Sequence, residues 1–350
     1  MVDDGGINRL RATVADIAKS SGMSTATVDR VLNGRVGVRA TTKQRVMQAA
    51  QELGYLAMAG SVVFPSKPAN LEFFIPIGSN AFLADLAHNI EDYCRRLPLV
   101  ASCKIRPLRG ILPEHLKEAV EDIPLSVNGI GVITVDLPKT RHLLRDLVEA
   151  GIRLVTIASD VPTAPRFAYV GIDNRGAGRT AALLMGRFLA GRSGPVAIVT
   201  GSRSYRGHEE RETGFRSVIQ EDFPHLEVSS TVEINDEPQA SFVAAMRLLT
   251  GDAKPLGIYC VGAGGSGIVK ALLETRATAS KPVFICHDLT HQTRSYLVDD
   301  LCDVVIDQNA RLLAEQSVIQ LLGSIASSAP YLTKKLVEPR LIFKENLPAQ

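Results

Sequence analysis

No run of about eighteen apolar residues occurs in the 350-residue chain, so nothing in it is long enough to cross a bilayer as a helix. An export signal is missing too. The opening MVDDGGINRL is acidic and polar and carries no apolar segment, so a cytoplasmic location is expected. Cysteine is sparse: Cys94, Cys103, Cys260, Cys286 and Cys302 are odd in number, show no C-x-x-C spacing and lie in or beside apolar segments. That pattern argues for core thiols and against a disulfide or zinc framework. Nor is there a strong charge of one sign. The 39 basic and 37 acidic residues leave +2, which excludes a partner recognised by overall charge.

Motifs of catalysis are lacking as well. There is no H-E-x-x-H, Walker loop or G-x-S-x-G turn. Gly201-Ser202-Arg203-Ser204 follows an apolar run but lacks the spacing of a nucleophile elbow. Seven histidines are scattered, and the nearest pair, His287 and His291, shares a helical face only if one helix spans both. Enzyme activity, a bound metal and a cofactor are therefore not expected.

What is present is an ordinary globular composition, 45% hydrophobic and 22% charged, and enough chain for a large core. Its most informative stretch is Val14 to Leu56. Val14, Ile17 and Ala18 sit at helical spacing, and Val28, Val31 and Leu32 repeat the pattern. Between them Gly22 is suited to close the first helix in the left-handed conformation, and Ser24 to cap the next. Two helices joined by so short a turn cross and leave the outer face of the second free, the helix-turn-helix arrangement that reads a DNA major groove. Thr25, Ala26, Thr27 and Arg30 lie on that face, with Arg30 suited to guanine. Around them stand Arg9, Arg11, Lys19, Arg35, Arg39, Lys43 and Arg45, opposed only by Asp16 and Asp29, a local excess that supplies phosphate affinity. The plainer alternative is a three-helix cap with a solvated charged face.

VADIAKSSGMSTATVDRVLNG followed by TTKQRVMQAAQELGY resembles the DNA-binding domain of the lactose-repressor (LacI/GalR) family of bacterial transcription regulators. The resemblance implies that Thr25 and Ala26, just after Ser24, form the base-reading pair and that Arg30 makes a further base contact. Asn33 and the loop to Arg39 then lie near the DNA backbone. Asp29 departs from the pattern, standing where the family usually has a phosphate-contacting serine. After this domain, expected over residues 1–56, comes a linker over 57–70. In the family that connection forms a short hinge helix on operator DNA and wedges an apolar side chain into the minor groove. Leu56 or Met58 is the candidate here, although Gly60 and Pro65 limit any helix to one or two turns.

From Leu71 onward short apolar runs alternate with helical stretches, which means parallel sheets covered on both faces. The expected fold is thus an all-α helix-turn-helix headpiece followed by an α/β domain over 71–350, with two doubly wound parallel-sheet lobes. About ten strands are more than one such lobe comfortably holds. Asn80-Ala81-Phe82, YVGIDNRGAGRTAALLMGRFLA, GSRSYRGHEERETGFRSVI, CHD and IDQNARLLAEQSVIQLL are similar to the family's effector domain, itself of periplasmic sugar-binding-protein type. That architecture implies three crossings between lobes, expected near 162–166, 288–292 and 328–331. The N-lobe would then hold about 71–161 and 289–328, and the C-lobe about 168–287 and 331–350.

Ligands in open α/β sheets bind beyond the carboxyl ends of the strands. Asn80, Asp160, Asp173, Asp288 and Gln308 each follow an apolar run, and Phe82 offers an aromatic face. By the resemblance, Arg211 matches the family's R-x-x-G-[FY] arginine, Asp288 its strand-end acid, Asn80 and Phe82 the lip of the cleft, and Gln308 the last crossover. The dull alternative is that strand-end Asp and Asn residues cap the next helix, the reading favoured for Asp173-Asn174. A loop that often supplies an asparagine reads Gly262-Ala263-Gly264-Gly265-Ser266-Gly267 instead. Its G-x-G-x-x-G spacing, with Asp288 beyond, raises a rival, an NAD(H)-binding sensor or oxidoreductase. The expected partners are double-stranded operator DNA, a sugar or polyol effector, and a second copy of the chain. The ending VEPRLIFKENLPAQ has no apolar heptad repeat, so a homodimer is expected and not a tetramer.

Overall fold

The computed structural model describes residues 13–32, 38–52, 64–275, 281–326 and 333–349, and the chain divides into two units at residues 63 and 64. In the first, α1 (Val14–Ser21), α2 (Thr25–Leu32) and α3 (Ala40–Glu52) surround a small core of Ile17, Ala18, Val28, Val31, Val46, Ala49 and Ala50. Thr13 caps α1 and exchanges hydrogen bonds with Asp16, a capping box that also holds the Asp16 carboxyl below its usual range. Gly22 ends the helix at φ 67°, its N–H donating to the carbonyl of Ala18, and Ser24 Oγ accepts the Thr27 N–H at 3.2 Å. The turn thus has the chemistry that its residues announce.

In the second unit the connection order is strand, helix, strand almost throughout. One half holds β1 (Ala69–Ile75), α4 (Ala81–Arg95), β2 (Val100–Pro107), α5 (Pro113–Glu121), β3 (Gly129–Val132), α6 (Pro138–Glu149), β4 (Arg153–Ile157) and β5 (Ala168–Gly171). The other holds α7 (Asn174–Leu189), β6 (Gly194–Thr200), α8 (Arg206–Asp222), β7 (Leu226–Glu233), α9 (Pro238–Thr250), β8 (Gly257–Cys260), α10 (Gly265–Glu274), β9 (Val283–His287), α11 (His291–Val298) and β10 (Val304–Asp307). Then α12 (Ala310–Ala326) returns to the first half, and β11 (Thr333–Leu336) and β12 (Arg340–Ile342) follow. Two six-stranded sheets result, ordered β11-β5-β4-β3-β1-β2 and β12-β10-β9-β8-β6-β7. All pairings are parallel except β10 with β12. Central strands such as β3, β5, β8 and β10 are buried along their whole length, as parallel strands under helices on both faces must be.

The lobe boundaries differ from those expected. Every crossing comes later in the chain. Strand β5 pairs with β4 in the first sheet, so the first crossing lies at Ile172-Asp173 and not at 162–166. The proline-containing segment that looked like a linker is a loop internal to the first lobe, closed by the buried Asp160–Arg166 ion pair and by Thr156 Oγ1 donating to Asp160 at 2.9 Å. Strand β10 pairs with β9, which moves the second crossing from 288–292 to Gln308-Asn309. The third lies between β11 and β12, near 337–339 and not 328–331. His287 ends β9 whereas His291 begins α11, so no helix spans both. Two edge strands, β11 and β12, were not read from the sequence. No helix among the described residues is long and apolar enough to cross a membrane.

Candidate functional site

Two surfaces bring chemistry-bearing residues together. The first is the outer face of α2. The core of the helical unit consumes Val28 and Val31, so the opposite side of the helix is left outward. Ser24, Thr25, Ala26 and Arg30 are exposed there and Thr27 is half-buried, giving hydroxyls, a methyl and a guanidinium at the start of one helix. Asn33 and Leu56, also expected at this interface, lie outside the described residues, as does the first half of the linker, 57–63.

The second is the cleft between the two lobes, where two adjoining recesses of about 520 and 470 Å³ open. Asn80, Phe82, Asp236, Gly262, Ala263 and Asp288 border both. Arg211 and Gln308 border the second. Each of these stands at a strand end or in the first turn or two of a helix, so the βα topology itself gathers them.

Arg211 projects from the inner face of α8, three and four residues before Gly214 and Phe215. Its backbone is fixed by a close crossing with α7: a Cβ on Gly178 would lie 2.0 Å from the Arg211 carbonyl oxygen, and one on Gly214 2.2 Å from that of Arg175. The guanidinium donates from Nε to Asn174 Oδ1 at 2.8 Å and from Nη1 to the Val261 carbonyl at 2.9 Å. Both acceptors are neutral, and no carboxylate lies at ion-pair distance from it among the described residues. Asp288, in left-handed backbone at φ 68°, accepts Gln308 Nε2 at 2.8 Å. Burial drives its carboxyl up to about 7, against the opposing pull of Arg211. Asp236, at φ 58°, accepts the Ala263 N–H at 2.9 Å, and burial pushes it up to about 6. His208 and His287 are both kept neutral by burial and by the Arg211 charge, His208 down to about 3 and His287 well below its ordinary value. His287 Nε2 meets the Tyr259 hydroxyl at 2.7 Å. Two buried polar atoms at the cleft, His287 Nδ1 and Gln308 Oε1, have no hydrogen-bond partner among the described residues.

A family model for the periplasmic binding protein domain matches residues 73–325, and one for bacterial regulatory proteins of the lacI family matches 13–57. The chain belongs to the LacI family of DNA-binding regulators. LacI-family relatives include the HTH-type transcriptional repressor PurR of Vibrio cholerae and the HTH-type transcriptional regulator DegA of Bacillus subtilis. Each is 26% identical over 255 residues, covering 71% of this chain and 72% or 73% of theirs. Catabolite control protein A of Priestia megaterium is 24% identical over 257 residues, 71% of this chain and 74% of its own. Among solved structures, a solute-binding protein from Burkholderia graminis in complex with D-arabinose superposes with a TM-score of 0.74 at 21% identity, covering 81% of this chain and 98% of that one. A glucose-galactose binding protein from Geobacillus stearothermophilus gives 0.73 at 20% identity, covering 81% and 100%. At that level of identity these two establish the fold of the two-lobed unit.

Within this LacI-family chain the cleft gathers Asn80, Phe82, Arg211, Asp288 and Gln308. Asn80 also plays the duller part, capping α4 by accepting the Leu83 N–H at 3.3 Å. Asp160 does not belong with them. Its carboxylate is buried against Arg166 and Thr156, away from the lining, so it closes a loop. Asp173 caps α7 through the Gly176 N–H at 2.9 Å, whereas its neighbour Asn174 turns inward to hold Arg211. Asp236, His208 and His287 were not singled out as ligand contacts. Asp236 carried the same signal as Asp288, an acid just past an apolar strand, but Asn235-Asp236-Glu237 reads locally as a polar turn. The glycine loop is accounted for by packing: a Cβ on Gly267 would lie 2.5 Å from the Phe242 nitrogen and the Pro238 carbonyl, and one on Gly264 2.4 Å from Ile234. With glycines spent on helix contacts, and relatives that are regulators, the nucleotide-binding alternative is not favoured.

Proposed function

We propose that this chain is a transcriptional repressor that binds a pseudopalindromic operator as a homodimer in the cytoplasm and answers to a small sugar-like or polyol effector held in its cleft. The carrying observation is the cleft itself: a buried guanidinium with neutral partners, two half-buried carboxyls, a buried amide oxygen without a partner, and the Phe82 ring in the same lining. Such a set suits a ligand dense in hydroxyls, each able to donate and accept. The reading is supported also by solved structures of the same fold whose bound molecules are sugars or the cyclitol myo-inositol. Thr25, Ala26, Thr27 and Arg30 read base edges, with Ser24 capping the helix that carries them and Asn33 and Leu56 contributing at the flanks. Two headpieces on two half-sites require the two-fold pairing. Effector and operator favour different lobe arrangements, and that difference in affinity couples them.

The test is a gel-shift selection of genomic fragments against random duplex, repeated with a panel of sugars and polyols. A retained fragment whose affinity changes with one member of the panel is the expected result. Binding of every duplex alike, or a selected fragment indifferent to all compounds, overturns the corresponding half of the reading.

A further inference from the structure

The charge of the cleft narrows the effector class. The acidic and strongly basic side chains that border the two recesses are Arg211, Asp236 and Asp288. His208 and His287 add no charge, being held neutral. One cation therefore faces two carboxyls that desolvation holds partly protonated until a counter-charge lies beside them, and the distribution is uneven. The recess bordered by the Gly262–Ser266 loop has both carboxyls and, with His287 neutral, no cationic side chain, while Arg211 borders only the other. The amino-terminal ends of α4, α10 and α11 face this space: Asn80 and Thr290 cap α4 and α11, while α10 has no side-chain cap and presents its first N–H groups as donors, the Ala263 N–H ahead of it going to Asp236. A buried acceptor is also left unpaired. Gln308 is 3% exposed, spends its Nε2 on Asp288, and leaves Oε1 without a donor.

A buried carboxylate is costly unless a counter-charge arrives with the ligand. A phosphate or carboxylate effector would add to the repulsion, and a neutral polyol would leave the imbalance as it stands. We infer that the effector is a polyhydroxylated amine, an amino sugar or amino polyol, whose ammonium sits between Asp236 and Asp288 over the glycine loop while its hydroxyls meet Arg211 and Gln308. Gly265 leaves room there, since a Cβ on it would find nothing nearer than 3.8 Å. The inference rests on the effector reading given above and specifies the ligand's charge.

The experiment uses the full chain and matched pairs differing in one nitrogen: 1-amino-1-deoxy-D-sorbitol with D-sorbitol, D-glucosamine with D-glucose, and D-galactosamine with D-galactose. Titration calorimetry and thermal shift are expected to show at least one amine binding tenfold or more tighter than its neutral partner. Asp288→Asn and Asp236→Asn should shrink that ratio to within about twofold. Neutral members binding as well as or better than their amines overturn the amine and leave the sugar reading intact. If no amine binds, the inference falls; if in addition no neutral compound binds or changes operator affinity, the effector reading falls with it. The wild-type comparison decides the matter even where a variant does not fold.

Discussion

Arg30 and Asp288 show how differently single residues can be spent. Arg30 lies exposed on α2, outside the apolar contacts that hold the headpiece together, so its substitution should act on recognition and not on folding. Arg30→Ala is expected to weaken operator binding by about 1–3 kcal/mol in a gel shift while leaving the thermal transition of the protein in place. Loss of folding in that variant would make Arg30 structural. Asp288 is the reverse case. Its folded carboxyl titrates near 7 against about 3.9 in an unfolded chain, so between those values the folded state holds more protons. Stability from this group is full below about pH 4 and is lost as pH rises through 7. Asp236, near 6, works in the same direction, whereas His208, near 3, favours the folded state as pH rises from about 3 to 6.5. Asp288→Asn keeps a residue tolerant of φ 68° and removes the carboxyl. Its melting temperature relative to wild type should therefore increase from pH 5 to pH 8; a constant difference would contradict the upward shift of that carboxyl.

At the scale of elements, the glycines of the α10 loop separate two uses of one motif. If they serve packing, then Gly267→Ala forces a Cβ to within 2.5 Å of the α9 backbone and should cost about 1–3 kcal/mol in urea denaturation. Gly265→Ala would make only ordinary van der Waals contacts, at 3.8 and 3.9 Å with Phe284 and Tyr296, and should lie within about 0.5 kcal/mol of wild type. Equal effects at the two positions would remove the packing account. These elements were largely legible in the sequence because strand and helix are local patterns, and so was the turn at Gly22, which a single dihedral decides. Where the chain changes lobe was not legible. Whether 168–171 belongs to one lobe or the other depends on hydrogen bonds to β4, a partner that no local composition specifies. The same blindness explains the exchange of Asp160 for Asp236. Both acids follow strands, but Asp160 has Arg166 folded back onto it while Asp236 has none, and only the closed loop reveals that.

For the whole molecule, the two lobes touch across the cleft at several points. Ser79 Oγ donates to the Asp236 carbonyl at 3.4 Å, the Asp136 N–H to the Ser204 carbonyl at 3.3 Å, and the Gly207 N–H to Ser159 Oγ at 3.4 Å. Nearer the first crossing, Asn174 Nδ2 donates to the Tyr169 hydroxyl at 3.1 Å. Hydrogen bonds as long as the first three are readily exchanged for contacts to a ligand, as the proposed coupling of effector and operator requires. A protein reading two half-sites should be a dimer in solution, so light scattering is expected to return about twice the chain mass of 37.7 kDa. A tetramer mass would contradict the reading of the C-terminus, and a monomer mass at micromolar concentration the two-fold pairing. The outermost strands carry a consequence for biosynthesis. Because β11 flanks β5 and β12 flanks β10, a nascent chain that has emerged only as far as residue 326 presents a bare edge on each of its sheets. Neither sheet can gain its last strand before nearly the whole chain has emerged. Both wait on the same closing segment, and a ribosome stalled just short of it holds a chain with two sites for mispairing at once.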